Sequence, residues 1–91
     1  MTHESNVITD HEKIRKWVEE REGRPARVKG TGGKHDAGLL RINFPGDEDG
    51  KLEDISWDEF FKKFEEEDLA FLYQDETAGG KTSYFNKLVR R

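Results

Sequence analysis

Two glycine-rich loops carry the residue types in this chain that most invite a chemical reading. Ala78-Gly79-Gly80-Lys81-Thr82 ends in the Gly-Lys-Thr of a phosphate-binding loop, whose backbone N–H groups cradle phosphates ahead of a helix. That motif needs glycine five residues before its Gly-Lys pair, where this chain has Asp75, and it needs a helix afterwards, where the pattern here reads as strand. Lys29-Gly30-Thr31-Gly32-Gly33-Lys34 fails the same helix requirement. It keeps several N–H groups between two lysines, enough for a loose anion contact, but reads first as a hairpin connection.

The acidic run Asp47, Glu48, Asp49, Glu53 and Asp54 is the only metal-like cluster. A calcium loop places oxygens at positions 1, 3 and 5 and glycine at 6; counted from Asp47, glycine falls at 4 and Lys51 at 5. His3, His11 and His35 lack ligand spacing, and there is no cysteine to help them. No nucleophile elbow is present; His35-Asp36 beside a glycine loop could act as an acid–base pair, but adjacent residues rarely aim at one another. With no set of groups meeting the geometry of an active site, the expectation is a non-enzymatic chain needing neither metal nor cofactor. A small enzyme ranks third among the functional readings.

Charge is segregated along the chain. Residues 24–41 carry a net +4 and residues 81–91 another +4, whereas residues 46–68 carry −8, within an overall net charge of −4. The candidate binding residues are therefore Arg24, Arg27, Lys29, Lys34 and Arg41, joined by Lys81, Lys87, Arg90 and Arg91 if the strands share a sheet. Strand alternation puts Arg27 and Lys29 on one face, where a phosphate backbone could lie. The acidic total and the lack of aromatics interleaved with the basic residues argue against nucleic acid. A macromolecular partner is expected, a protein in preference to nucleic acid: an acidic one on the hairpin or a basic one on residues 46–68. The alternative is internal compensation, acidic and basic surfaces meeting as neighbours.

These groups are positioned by a few strongly patterned segments, organised around Leu52–Gln74. Ser56-Trp57-Asp58-Glu59 is a capping box, in which Ser56 accepts the Glu59 N–H and the Glu59 carboxylate reaches back to the N–H of Ser56. Ile55 and Phe60 form its hydrophobic staple. Trp57, Phe60, Phe61 and Phe64 then fall on one helical stripe, which reads as core. Leu69–Tyr73, apolar on both faces, reads as a central strand. Earlier, Thr9 or Asp10 caps a helix with Ile14, Trp17 and Val18 inward, stopped by Gly23 and Pro25. Ala26–Lys29 and Leu39–Phe44 read as a hairpin, and Thr82–Phe85 pairs back on Leu69–Tyr73.

The resulting expectation is a single α+β domain over residues 9–91 behind a mobile N-terminus, residues 1–8. Its order is α-β-β-α-β-β: an antiparallel sheet of about four strands with both helices on one face. Trp17, Leu40, Ile42, Phe44, Trp57, Phe60, Phe64, Phe71 and Tyr73 should supply much of the core. Each half runs helix, strand, Gly-Gly-Lys loop, strand, with Gly32-Gly33-Lys34 matching Gly79-Gly80-Lys81. The helix-to-loop spacings differ and little else aligns, so no function rests on a repeat.

Charged residues make up 40% of the 91 and apolar residues 32%, but the apolar ones are gathered in periodic blocks, so a folded domain is expected. No cysteine means no disulfide framework. No apolar run approaches a membrane span and no signal-peptide pattern opens the chain, which points to the cytoplasm.

Five segments together carry a resemblance: Thr9-Asp10-His11, Gly23 to Gly33, Leu40 to Gly46, Ile55 to Phe61 and Phe85 to Val89. They resemble a family of small uncharacterised bacterial proteins, some labelled glucan branching enzyme, over nearly the whole chain. Branching enzymes resemble multi-domain barrel proteins several times this length, so that label is not carried over. The resemblance implies a stand-alone bacterial domain and brings no catalytic residues. The sequence reading is thus a cytosolic binding or regulatory module, with nucleic-acid binding as the alternative.

Overall fold

A computed structural model of the chain describes residues 6–32, 38–46 and 50–91. The elements are β1 (Asn6–Ile8), α1 (His11–Glu20), β2 (Arg24–Val28), β3 (Leu40–Asn43), β4 (Leu52–Asp54), α2 (Trp57–Glu66), β5 (Leu69–Tyr73) and β6 (Asn86–Arg90). The α-β-β-α-β-β order is present, with one short strand added before each helix. All pairings are antiparallel, and the strands divide into two three-stranded sheets, β1-β5-β6 and β3-β2-β4. Residues 6–8, read from sequence as mobile, pair with β5, and the last strand lies at 86–90 rather than 82–85.

Both helices start where their caps direct. The Asp10 carboxylate accepts the Lys13 N–H at 3.1 Å, and Ser56 Oγ accepts the Glu59 N–H at 3.1 Å. Glu59 answers through the Ser56 hydroxyl, 3.4 Å away. Both helices end through a left-handed residue that is not glycine, Glu22 at φ 58° and Asp68 at φ 56°. Gly23, the stop suggested by sequence, serves packing instead: a Cβ there would lie 2.8 Å from Phe44 and 2.9 Å from Val18.

Ile14, Trp17, Val18, Leu40, Ile42, Phe60, Phe64 and Phe71 form one buried cluster, against which Ile8, Phe44, Ile55, Trp57, Phe61, Leu69, Tyr73 and Leu88 pack. Both helices and both sheets feed this one core, so the helices cover a single face of the strands. Each fully buried Phe contributes about 1.5–3 kcal/mol through burial alone, and three such rings, Phe60, Phe64 and Phe71, sit at its centre.

The two halves follow the same plan. β1 and β4, the caps Asp10 and Ser56, the two helices, and the left-handed residues Glu22 and Asp68 are each 46 residues apart. The hairpins keep that spacing: Pro25 lies opposite Ile42, and Phe71 opposite Leu88. Buried Ile14 and Val18 correspond to buried Phe60 and Phe64. Each half is a β-α-β-β unit, and each gives its first strand to the other: β1 pairs with β5, and β4 with β2. The exchanged strands differ in register by one residue, since Ile8 meets Phe71 whereas its counterpart Asp54 meets Ala26, next to Pro25.

Candidate interaction surface

The exchange of β4 decides the fate of the basic hairpin. Arg27 Nε and Nη2 lie 2.6 and 2.5 Å from Glu53 Oε1. Arg24 Nη1 lies 3.3 Å from Asp54 Oδ2, whose other oxygen accepts from Asn43 Nδ2 at 3.2 Å. The acidic stretch thus closes onto the basic one as adjoining strands. The shared face proposed for Arg27 and Lys29 is also not an open phosphate track. Arg27 stands opposite Leu40, which points into the core, and its fork is spent on Glu53.

Of the remaining sequence candidates, Lys29 is exposed just beyond β2, its N–H bonded to the Lys51 carbonyl at 2.8 Å. Arg41 is exposed on β3 and, among the described residues, bonds only the neighbouring Leu40 carbonyl, at 2.8 Å. Lys34 lies outside the described residues, as do His3, His35, Asp36 and Asp47 to Asp49. From the second hairpin, Lys87 is exposed on β6, while Arg91 is held by Glu65 at 2.6 Å and by the Leu69 carbonyl at 2.6 Å.

Arg41 and Lys87 come together at the seam between the sheets. β3 and β6 lie side by side, but no ladder joins them. A cleft of about 360 Å³ opens there, lined by Leu40, Arg41, Asn86, Lys87 and Leu88. A second, of about 380 Å³, shares Leu40, Arg41 and Leu88 and reaches Lys63 and Glu67 on α2. Strand edges without a partner leave half their main-chain N–H and C=O groups open to a newcomer.

Two polar sites escaped the sequence reading. The Arg21 side chain, 8% exposed, donates to the carbonyls of Ser83 (2.7 Å), Asp75 (3.1 Å) and Trp17 (3.1 Å) and lies 4.1 Å over the Trp17 ring. It fastens the β5–β6 connection to the end of α1; the available signal was a basic residue at a helix C-terminus. Glu65 accepts from Arg91 at 2.6 Å and contacts His11 Nε2 at 2.8 Å, while the His11 ring stacks 4.1 Å from Phe61. The Arg91 hydrogen bond, then that of His11, holds the Glu65 carboxyl below its ordinary range. Burial and the nearby Asp75 push the Tyr73 hydroxyl upward. Both sites join segments of the fold.

Among the described residues, no three His, Asp or Glu side chains gather where a metal ion could sit, and no helix is long and apolar enough to cross a membrane. Comparison with protein-family models, curated proteins and solved structures finds no match to this chain.

Proposed function

We propose that the chain is a non-enzymatic binding or regulatory module of the bacterial cytoplasm that engages an acidic protein partner. The observation carrying this reading is the contrast within the basic set. Arg24 and Arg27 are ion-paired to β4, Arg24 while still largely exposed, whereas Arg41 and Lys87 stand exposed together at the seam, without an ion pair among the described residues. Two neighbouring cations beside apolar side chains suit carboxylates carried on a protein surface. A duplex would need a longer row of free cations along its phosphates, and two of the hairpin's five are already ion-paired to β4.

The test is fluorescence anisotropy across a salt series, comparing a labelled peptide of alternating glutamate and leucine with mixed-sequence duplex DNA. Binding of the peptide in preference to DNA, weakening as salt rises, is the expected result. Tighter binding of DNA, or no binding of the peptide, overturns the reading.

A further inference from the structure

The 46-residue correspondence reaches the surface as well as the backbone. Leu39 corresponds to Phe85 and Arg41 to Lys87. The four exposed large hydrophobics of the described residues are Val7, Leu39, Tyr84 and Phe85, so two of them are counterparts, at 54% and 48% exposure. Each stands two residues before an exposed cation. Alternation with core-facing Leu40 and Ile42 on one strand, and with Leu88 on the other, turns Arg41 and Lys87 away from the core. Leu39 and Phe85 are exposed just before each strand, and Leu39 and Arg41 also line the cleft that reaches α2. On the strands side chains mostly disagree between the halves, since Arg27 corresponds to Tyr73 and Leu40 to Asn86, whereas the exposed helix faces repeat Lys16 at Lys62 and Glu19-Glu20 at Glu65-Glu66. Along the strands, the repeat of an exposed apolar residue two positions before an exposed cation is thus shared by the two strands that meet at the seam, where Arg41 and Lys87 line one cleft.

We infer that the exposed strand edges along the β3–β6 seam dock an acidic, apolar-interspersed segment of a partner protein, with carboxylates on Arg41 and Lys87 and apolar side chains on Leu39 and Phe85. The inference rests on the acidic-partner reading and adds its location and its apolar component. Charge complementarity selects the occupant. Among the described residues, the outward strand positions around the seam bring two cations. Asp54, on that side of the β3-β2-β4 sheet, is held by Arg24 and Asn43, and Glu67, which lines the second cleft, lies 3.9 Å from Lys63. Leu72 and Val89, half-buried beside Lys87, extend the apolar ground, and Val7, opposite Leu72, lengthens it to the sheet edge.

Three double variants separate the possibilities, each checked for retained fold by circular dichroism: Arg41→Glu with Lys87→Glu, Leu39→Ser with Phe85→Ser, and Lys16→Glu with Lys62→Glu. The last pair occupies exposed, equivalent helix positions and makes the same change in net charge. Affinity for the glutamate–leucine peptide should fall on the order of tenfold or more in the first variant, several-fold in the second and little in the third. An all-glutamate peptide of equal charge should bind the native chain more weakly. If the helix variant loses as much as the seam variant, or if Leu39→Ser with Phe85→Ser changes nothing, the seam is not the site, although acidic-partner binding stands. If the native chain binds neither peptide, the acidic-partner reading itself falls.

Discussion

The two halves of this chain share one backbone plan and fasten their exchanged strands by different chemistry. β1 brings Asn6, Val7 and Ile8 to β5, and Ile8 joins the core opposite Phe71. β4 brings Leu52, Glu53 and Asp54 to β2, where both acids meet arginines. The same strand exchange is thus sustained by apolar burial in one sheet and by charge complementarity in the other. Architecture here follows from strand placement and core filling, while the polar residues decide which surface is spent internally and which is left for a partner.

Substitutions can break or sharpen that comparison. The largest expected effect lies in the core that both halves share. Phe60→Ala should cost about 3–5 kcal/mol, and Ile14→Ala, at the equivalent site, about 2–5 kcal/mol, because each leaves a cavity as well as losing burial. Urea denaturation measures both; a loss below about 1 kcal/mol at either position would remove it from the common core. Next comes the charged seam of the first half. A double-mutant cycle on Arg27→Gln and Glu53→Gln should give a coupling of about 0.2–1 kcal/mol, typical of partly exposed pairs. That coupling should shrink as salt rises, whereas the effect of Ile8→Ala on the β1–β5 pairing should not. The smallest effect concerns Glu65, whose folded carboxyl titrates below its ordinary range. Such a group stabilises the fold above that range, and its contribution disappears as pH falls through the lowered value. Glu65→Gln should therefore reduce stability at neutral pH and flatten its decline between neutral and strongly acidic solution. An unchanged acid limb would show that the contacts with Arg91 and His11 carry no linkage.

Much of the fold was legible because it is written in short-range patterns. Ser56 and Asp10 begin their helices as their side chains dictate, the stripes Ile14-Trp17-Val18 and Phe60-Phe64 are buried, and Leu69–Tyr73 is the middle strand of its sheet. β1 and β4 were not legible, since three residues are too few to show alternation and Leu-Glu-Asp resembles a polar lead-in to a helix. The division into two sheets depends on which half each short strand joins, a long-range choice that local pattern does not encode. The repeat was obscured for a related reason. The matching Gly-Gly pairs at 32 and 79 are 47 residues apart, one out of step with strands and helices 46 apart. For the surface, the charged segments were visible, but their pairing was not. Arg24 and Arg27 looked available until β4 was laid beside them, and Arg41 gained its significance only through Lys87.

The most direct test of the account is an amide chemical-shift map of the ¹⁵N-labelled chain titrated with the glutamate–leucine peptide. The account predicts perturbations concentrated at Leu39–Arg41 and Phe85–Val89, with Lys16, Lys62 and the outer faces of both helices unmoved. Perturbations centred on the helices, or on β2 and β4 around Arg27 and Glu53, would contradict it.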